Sequence, residues 1–371
     1  MTGASRPARL LLSGYYGFGN FGDEAILEVF VEQWRARRPD DVITVLSQDP
    51  EATQKTYGVA AVARMAWSAL SEAIRSCDVL VSGGGGLLQS ATSLRSLMYY
   101  ASIIREAKRA GRKAAIFAQG IGPLNYFGRE VVKRACRAVD LACVRDELSQ
   151  GALQPLLPDV EVKLAADPLF LASDEIRDSA SVRLRREGLV DGVRDVVAVV
   201  VRRGPLLDQM MEQLASVVDR LAKHHGAQVV FVPMQPPHDA EAASNVIRRC
   251  ASAPVLLGGG FDLATLTALL ARCAGVISMR LHALILAARL GVPFLAIPYD
   301  PKILALTGSL AYPLPPLARD SLTDEVVEQF WTQRERLGSL LRARVPALQA
   351  RANLGFEWLQ GLVGGAPLTV R

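Results

Sequence analysis

Apolar and polar positions along this chain alternate in blocks. Short apolar runs stand at ARLLLSG (8–14), VITVLSQ (42–48), DVLVSGGGG (78–86), AAIFAQGIGP (114–123), LACVRDELS (141–149) and VKLAADPLF (162–170). Each runs into glycine, proline or charged residues. Between them lie longer stretches with apolar residues at helical spacing, such as Ile26, Leu27, Phe30, Val31 and Trp34. A continuous apolar run followed by a 3.6-period stretch predicts a buried parallel strand and its covering helix. Residues 171–194 are more polar, and the alternation then restarts with VVAVVVRR (196–203), QVVFVPMQ (228–235), APVLLGG (253–259) and the stretch GVISMRLHALILAARLGVPFLAIPYDPK (275–302). Residues 322–344 and 346–362 read as two terminal helices separated near Pro346.

The expected organisation is an α/β chain with an N-terminal Rossmann-like domain over 1–172, a second over 173–320 and C-terminal helices over 321–371. In open α/β sheets ligands bind outside the carboxyl ends of the strands. The polar and glycine residues collect at those ends in both halves: Gly17–Asp23, Gly83–Gly86, Gln119–Gly122 and Arg145, then Arg202–Arg203, Gln235–His238, Arg280–His282 and Asp300–Lys302. Two such sheets facing across a cleft would make a GT-B-like architecture.

Charge adds little: a net +5 suits an anionic substrate or membrane surface and is too small to argue for nucleic acid. The five cysteines form no CxxC pair, which fits buried thiols in a cytoplasmic protein. No apolar stretch is long enough to be a membrane span, while peripheral contact with the inner membrane leaflet stays compatible with the basic helices.

The candidate chemistry sits in a few places. Gly17–Phe18–Gly19–Asn20–Phe21–Gly22 has the GxGxxG form, but Asp23 and Glu24 follow at the helix N-terminus where a pyrophosphate would bind. That disfavours a dinucleotide and suggests a turn lining the cleft with Asn20 and Asp23, the bland alternative being that Asp23 caps its helix. Gly83–Gly86, with Gly84 and Gly85 at its centre, reads equally as an anion-binding nest or as a close approach of strand and helix. Arg145 is either paired with Asp146 or Glu147 or available to clamp a carboxylate or phosphate. Gln119, Asp167, Arg202 and His238 stand at strand ends as further binding candidates. Arg280, His282 and Lys302 place cations at the ends of strongly apolar elements, where a core tolerates them only with a partner or an anionic ligand. Nothing resembles a metal or serine-hydrolase motif.

Taken together, SGYYGFGNFGDEAIL, SGGGGLLQ, AQGIGPL, VRDELS, ADPLF and SMRLHALILAARLGVPFLAIPYDPK resemble the polysaccharide pyruvyl transferase family, in particular its CsaB type. The resemblance implies a GT-B-like fold and transfer of pyruvyl from phosphoenolpyruvate to two hydroxyls of one sugar, with no metal and no cofactor. For this type it implies a lipid-linked acceptor containing N-acetylmannosamine, and a pyruvylated cell-wall polymer that anchors S-layer proteins through SLH domains. It carries donor-site roles onto Arg145, His282 and Lys302, with Arg280 adjacent. A triply anionic donor needs several cations to offset it in a partly dry site, and a histidine near its reference pKa of ~6.5 suits proton transfer. Asp23 or Asp167 would serve as a base toward the acceptor. A glycosyltransferase using a nucleotide sugar, and a non-catalytic sugar- or lipid-binding protein, are the competing readings on the same scaffold.

Overall fold

The computed structural model describes residues 6–91, 93–173, 178–186, 194–317 and 321–364. By compactness the chain divides into two units, Met1–Ala172 with Ala347–Arg371, and Ser173–Pro346.

The first unit holds seven parallel strands: β1 (Arg9–Tyr16), β2 (Val42–Ser47), β3 (Ala60–Ala63), β4 (Val79–Gly83), β5 (Lys113–Gln119), β6 (Leu141–Val144) and β7 (Val162–Leu164). Their order in the sheet is β3-β2-β1-β4-β5-β6-β7. The connecting helices are α1 (Phe21–Arg37), α2 (Pro50–Tyr57), α3 (Trp67–Ser76), α4 (Leu94–Arg109), α5 (Tyr126–Cys136) and α6 (Glu147–Leu153). Alternate strand residues feed two cores, because successive side chains point to opposite faces. Leu10, Leu12, Val45, Val79, Val81, Phe117 and Cys143 pack with Phe30 and Trp34 of α1 and with Phe356 and Leu359 near the C-terminus. Leu11, Leu46, Leu80, Ile116 and Ala142 pack with residues of α3, α4 and α5. Burial on both faces is why these strands read as unbroken apolar runs.

The second unit holds β8 (Val196–Val200), β9 (Gln228–Phe231), β10 (Val255–Leu256), β11 (Cys273–Ser278) and β12 (Phe294–Ala296), all parallel, in the order β10-β9-β8-β11-β12. Its helices are α7 (Asp178–Arg186), α8 (Pro205–His225), α9 (His238–Ile247), α10 (Leu263–Leu270), α11 (Leu281–Arg289) and α12 (Pro301–Ser309).

The C-terminal region departs from expectation. Residues Asp324–Gly364 form one helix, α13, with Pro346 inside it, instead of two helices broken there. Nor do they form a body of their own: residues up to Pro346 belong to the second unit and those from Ala347 to the first. An interior proline costs a helix about 3 kcal/mol. Here Leu341, Val345, Leu348 and Ala352 are buried on either side of it, and each of the leucine and valine side chains recovers about 1.5–3 kcal/mol on burial. Earlier in the helix, Phe330 lies where a Cβ on Gly275 of β11 would come within 2.3 Å of its ring. No helix among the described residues is long and apolar enough to cross a membrane.

Candidate active site

In the second unit, β9, β8, β11 and β12 are consecutive neighbours, about 4.8 Å apart as strands in a sheet are. Their carboxyl ends therefore bring Gln235 and His238, Arg202, Arg280 and His282, and Tyr299 to Lys302 to one edge. Arg280 is the best defined of these. Its Nε donates to Asp239 Oδ2 at 3.1 Å, its Nη2 to Asp239 Oδ1 at 2.5 Å, and Nη2 also to Gln235 Oε1 at 3.1 Å. Asp239 is 1% exposed and further accepts from the amides of Met234 and Gln235 at 3.2 and 3.0 Å. The Arg280 amide donates to Ser278 Oγ at 2.8 Å. The guanidinium thus ties the β9 loop to the β11 turn, and its charge is offset by a buried carboxylate.

That turn opens α11, whose N-cap is Arg280 and which has no side-chain cap hydrogen bond. Uncapped first-turn amides and the helix dipole favour an anion. His282 sits in this first turn, half-buried. Beyond the next strand, Asp300 caps α12 by accepting from the Lys302 amide at 3.0 Å, and its other oxygen lies 3.7 Å from Lys302 Nζ. Arg202 lies over the Tyr299 ring, 4.6 Å from its centroid. His238, the first residue of α9, is exposed. Arg202, Arg280 and Lys302 outnumber Asp239 and Asp300 by one charge before His282 is counted. With the helix N-termini, this edge can hold a small polyanion.

In the first unit the glycine turn after β1 is already filled. Glu24 Oε1 accepts from the Gly17 amide at 2.8 Å, and Tyr57 donates its hydroxyl to Oε2 at 3.0 Å. Burial raises the Glu24 carboxyl, while these amides and the hydroxyl act against that rise. A carboxylate on the turn amides is the physical reason this GxGxxG differs from a pyrophosphate cradle. The helix cap is Asn20, accepting from the Gly22 amide at 3.2 Å, rather than Asp23. Asp23 is buried within the first turn of α1, beside Gly85.

The glycine run makes a close approach between strand and helix: at Gly84 a Cβ would stand 2.9 Å from Ile26 Cγ2, and Tyr16 donates its hydroxyl to the Gly83 carbonyl at 2.8 Å. Gly85 has φ +61°, and a Cβ there would lie 2.3 Å from Asp23 Oδ1. Gly85→Ala is therefore expected to push Asp23 out of place and to cost about 1–2 kcal/mol in backbone strain alone. A thermal melt and an activity assay read the two effects, and a variant matching the parent in both would contradict this packing.

Gln119 is fully buried and donates to Ser82 O and Oγ at 2.6 and 2.8 Å. It braces the sheet, a correction to its expected place at a ligand surface. Arg145 is 7% exposed. Its Nη1 donates to Asp167 Oδ2 at 3.0 Å, and its Nε lies 3.5 Å from Asp146 Oδ2. Of the two readings open for Arg145, the pairing is the one observed, with Asp167 taking the place expected of Glu147. Glu147 instead meets Arg351 at 3.0 Å. Asp167 also accepts from the Leu169 amide at 3.1 Å, and Asp146 from the Ser149 amide at 2.7 Å. Asp167 is thereby held in the frame of the unit, 3% exposed.

Sequence reasoning missed Asp239 and the aromatic group around Asp23, and it placed Glu24 at the turn without its bond to the Gly17 amide. Tyr15 and Phe18 stack at 4.0 Å, and Arg64 lies 5.0 Å over Phe18, 4.2 Å over Tyr99 and 5.6 Å over Tyr100. Burial and then the Asp23 charge push the Tyr15 hydroxyl up, with Arg64 opposing. Arg64 follows β3 as Arg145 follows β6, so the rule of cations at strand ends would have found it. Aromatic faces with a carboxylate at their edge suit the stacking and hydroxyl recognition of a sugar. Burial pushes the Cys136, Cys143 and Cys273 thiols up to about 12 and removes them as nucleophiles at neutral pH.

Residues 20–301 match the family model described as Polysaccharide pyruvyl transferase. No curated protein matches the sequence. Among solved structures, the fold is similar to a putative UDP-N-acetylglucosamine 2-epimerase from Listeria monocytogenes, with 10% identity over 98% of each chain and a TM-score of 0.65. It is also similar to the UDP-GlcNAc 2-epimerase from Neisseria meningitidis bound to UDP-GlcNAc, with 12% identity over 95% of this chain and 99% of that one and a TM-score of 0.63. The ADP-heptose lps heptosyltransferase II of E. coli is 16% identical over 91% and 99%, with a TM-score of 0.51. At such identities the likeness is one of fold, that of the GT-B glycosyltransferases and epimerases.

Proposed function

The chain belongs to the polysaccharide pyruvyl transferase family, and from that membership we propose that it moves the pyruvyl group of phosphoenolpyruvate onto two hydroxyls of one sugar as a cyclic ketal. The acceptor in this proposal is a lipid-linked cell-wall polymer precursor containing N-acetylmannosamine, met at the cytoplasmic face of the membrane. The product is a pyruvylated polymer bound by SLH domains of S-layer proteins. The observation that supports the donor assignment is the cationic carboxyl edge of the second sheet, where Arg202, Arg280, His282 and Lys302 follow adjacent strands and α11 begins without a side-chain cap.

The chemistry fits these groups. The donor's methylene carbon gains a proton while the first sugar oxygen bonds to the neighbouring carbon and gives up its own proton. The carbon–oxygen bond to phosphate then breaks, and its electron pair leaves with the phosphate. The second hydroxyl oxygen bonds to the same carbon and loses its proton, closing the ketal. In this scheme His282 delivers the proton to the methylene carbon or meets the departing phosphate. Lys302 and Arg202 offset the donor's charge, and the α11 amides add their dipoles. Arg280, its charge matched by Asp239, holds the turn that presents His282. The enol phosphate is itself an activated donor, so the scheme calls on no further group.

Phosphate release that requires both phosphoenolpyruvate and a synthetic lipid-linked acceptor, with a product mass heavier by one pyruvyl ketal, is the expected result. Absence of phosphate release with both present would reject the donor. Phosphoenolpyruvate at ten times its dissociation constant is expected to stabilise the protein by about 1.4 kcal/mol in a thermal-shift titration, and UDP is expected to leave it unchanged. Stabilisation by UDP and not by phosphoenolpyruvate would replace this reading with a nucleotide-sugar glycosyltransferase.

A further inference from the structure

Six of the twelve large apolar side chains exposed among the described residues gather in one region of the first unit. They are Met65, Trp67, Leu94, Met98, Tyr126 and Phe127, and they include all three exposed aromatic residues of that set. A single exposed leucine needs no explanation, whereas such a group marks an interaction surface. In a parallel sheet with βα crossovers, α3, α4 and α5 all begin at the carboxyl edge, and α4 packs against both of the others. Five of the six lie on or just before the first turns of these helices, and Met98 opens the second turn of α4. Hydrogen bonds join the three tips. Tyr99 of α4 donates its hydroxyl to the Arg64 carbonyl at 2.9 Å. The Ser90 amide, before α4, donates to the Pro123 carbonyl at 2.9 Å, and the Asn125 amide, before α5, donates to Ser90 Oγ at 2.8 Å. The patch is therefore one surface.

The segment that carries the patch is basic along its length, with part of that charge in the last turns of α3, α4 and α5 and part at the tips. From Arg64, just past β3, to Arg137, which caps α5, the chain carries twelve Lys and Arg against four Asp and Glu, a net +8. The whole chain carries +5, so everything outside this stretch sums to −3. Arg95 and Arg129 are exposed among the apolar tips themselves, and Lys133 is exposed further along α5.

We propose that the tips of α3, α4 and α5 dock on an anionic lipid bilayer. Trp and Tyr favour the level of the headgroups, Phe, Met and Leu the acyl boundary, and the surrounding Arg and Lys meet anionic headgroups. The same composition argues against a protein partner of ordinary kind, whose interface core is depleted in charge. The inference deepens the reading of a lipid-linked acceptor by naming how the protein reaches one, and its test involves no turnover.

The full-length protein is floated with vesicles of phosphatidylcholine alone and with vesicles containing phosphatidylglycerol, at a salt concentration of about 0.1 M, where surface charges are partly screened. Binding to the anionic vesicles and not to the neutral ones is expected. In Trp67→Ser/Tyr126→Ser/Phe127→Ser, and separately in Arg95→Glu/Arg129→Glu/Lys133→Glu, binding is expected to fall about tenfold or more. The melting temperature is expected to hold, because these side chains are exposed. Turnover on a soluble acceptor is expected to be unchanged, which separates loss of docking from failure of the proposed reaction. Equal flotation of parent and variants would overturn the proposal, as would no flotation of the parent. So would a parent that elutes as a dimer which the variants convert to a monomer, since the face would then be covered by a second copy.

Discussion

Replacing Asp239 with alanine is expected to destabilise the second unit by about 3–5 kcal/mol, the usual cost of leaving one member of a buried ion pair alone. Asp239 is 1% exposed and takes four donors: both forks of Arg280 and two amides of the β9 loop. Without it the Arg280 guanidinium stays where it is nearly buried and loses its carboxylate partner, while two loop amides lose their acceptor. Asp239→Asn keeps acceptor capacity and drops the charge, so an intermediate loss is expected. The double variant Asp239→Ala/Arg280→Ala is expected to lose less than the sum of the single ones, because neither charge is then left alone. Urea melts of the parent, of Asp239→Ala, Asp239→Asn and Arg280→Ala, and of the double variant would measure this. Additive losses would show that the pair does not act as a unit.

The second large effect concerns turnover. His282→Ala is expected to lower the rate by about 10²- to 10⁴-fold, the range for a positioned acid or base. Little change in melting temperature should accompany it, because the side chain sits half-buried in the first turn of α11. Lys302→Ala is expected to act differently, raising KM for phosphoenolpyruvate more than it lowers kcat, since a point charge on the donor contributes to binding before the chemistry. If His282→Ala retained full turnover, proton delivery would have to be assigned elsewhere. If Lys302→Ala left KM untouched, its pairing with Asp300 would be its whole role.

Some of this molecule is visible in a linear reading, and the reason is the range of the forces involved. Side-chain periods of 2 and 3.6 are properties of a few adjacent residues, so the strands and helices, their βα alternation and the location of strand carboxyl ends can be read from the chain itself. So can the presence of Arg145, Arg202, Arg280, His282 and Lys302 at those ends. The break expected near Pro346 does not form, for the converse reason. Proline acts locally, whereas the burial of Leu341, Val345, Leu348 and Ala352 that keeps α13 continuous comes from the folded cores.

What the tertiary structure alone decided is the state of each polar group. Arg145 finds Asp167, 22 residues on, and Arg280 finds Asp239, 41 residues back. Glu24 closes on the Gly17 amide, and Arg64 closes on the rings of Phe18, Tyr99 and Tyr100. A strand end looks cationic in sequence whether or not a carboxylate reaches it from a neighbouring loop. Parallel crossovers bring together loops that are far apart in the chain, and an ionic or hydrogen bond is specific to atoms within about 3 Å. Which cations remain to meet a ligand is therefore a property of the folded sheet edge. In this protein that edge matches Arg280 with buried Asp239, sets Lys302 3.7 Å from Asp300 and lays Arg202 over the Tyr299 ring.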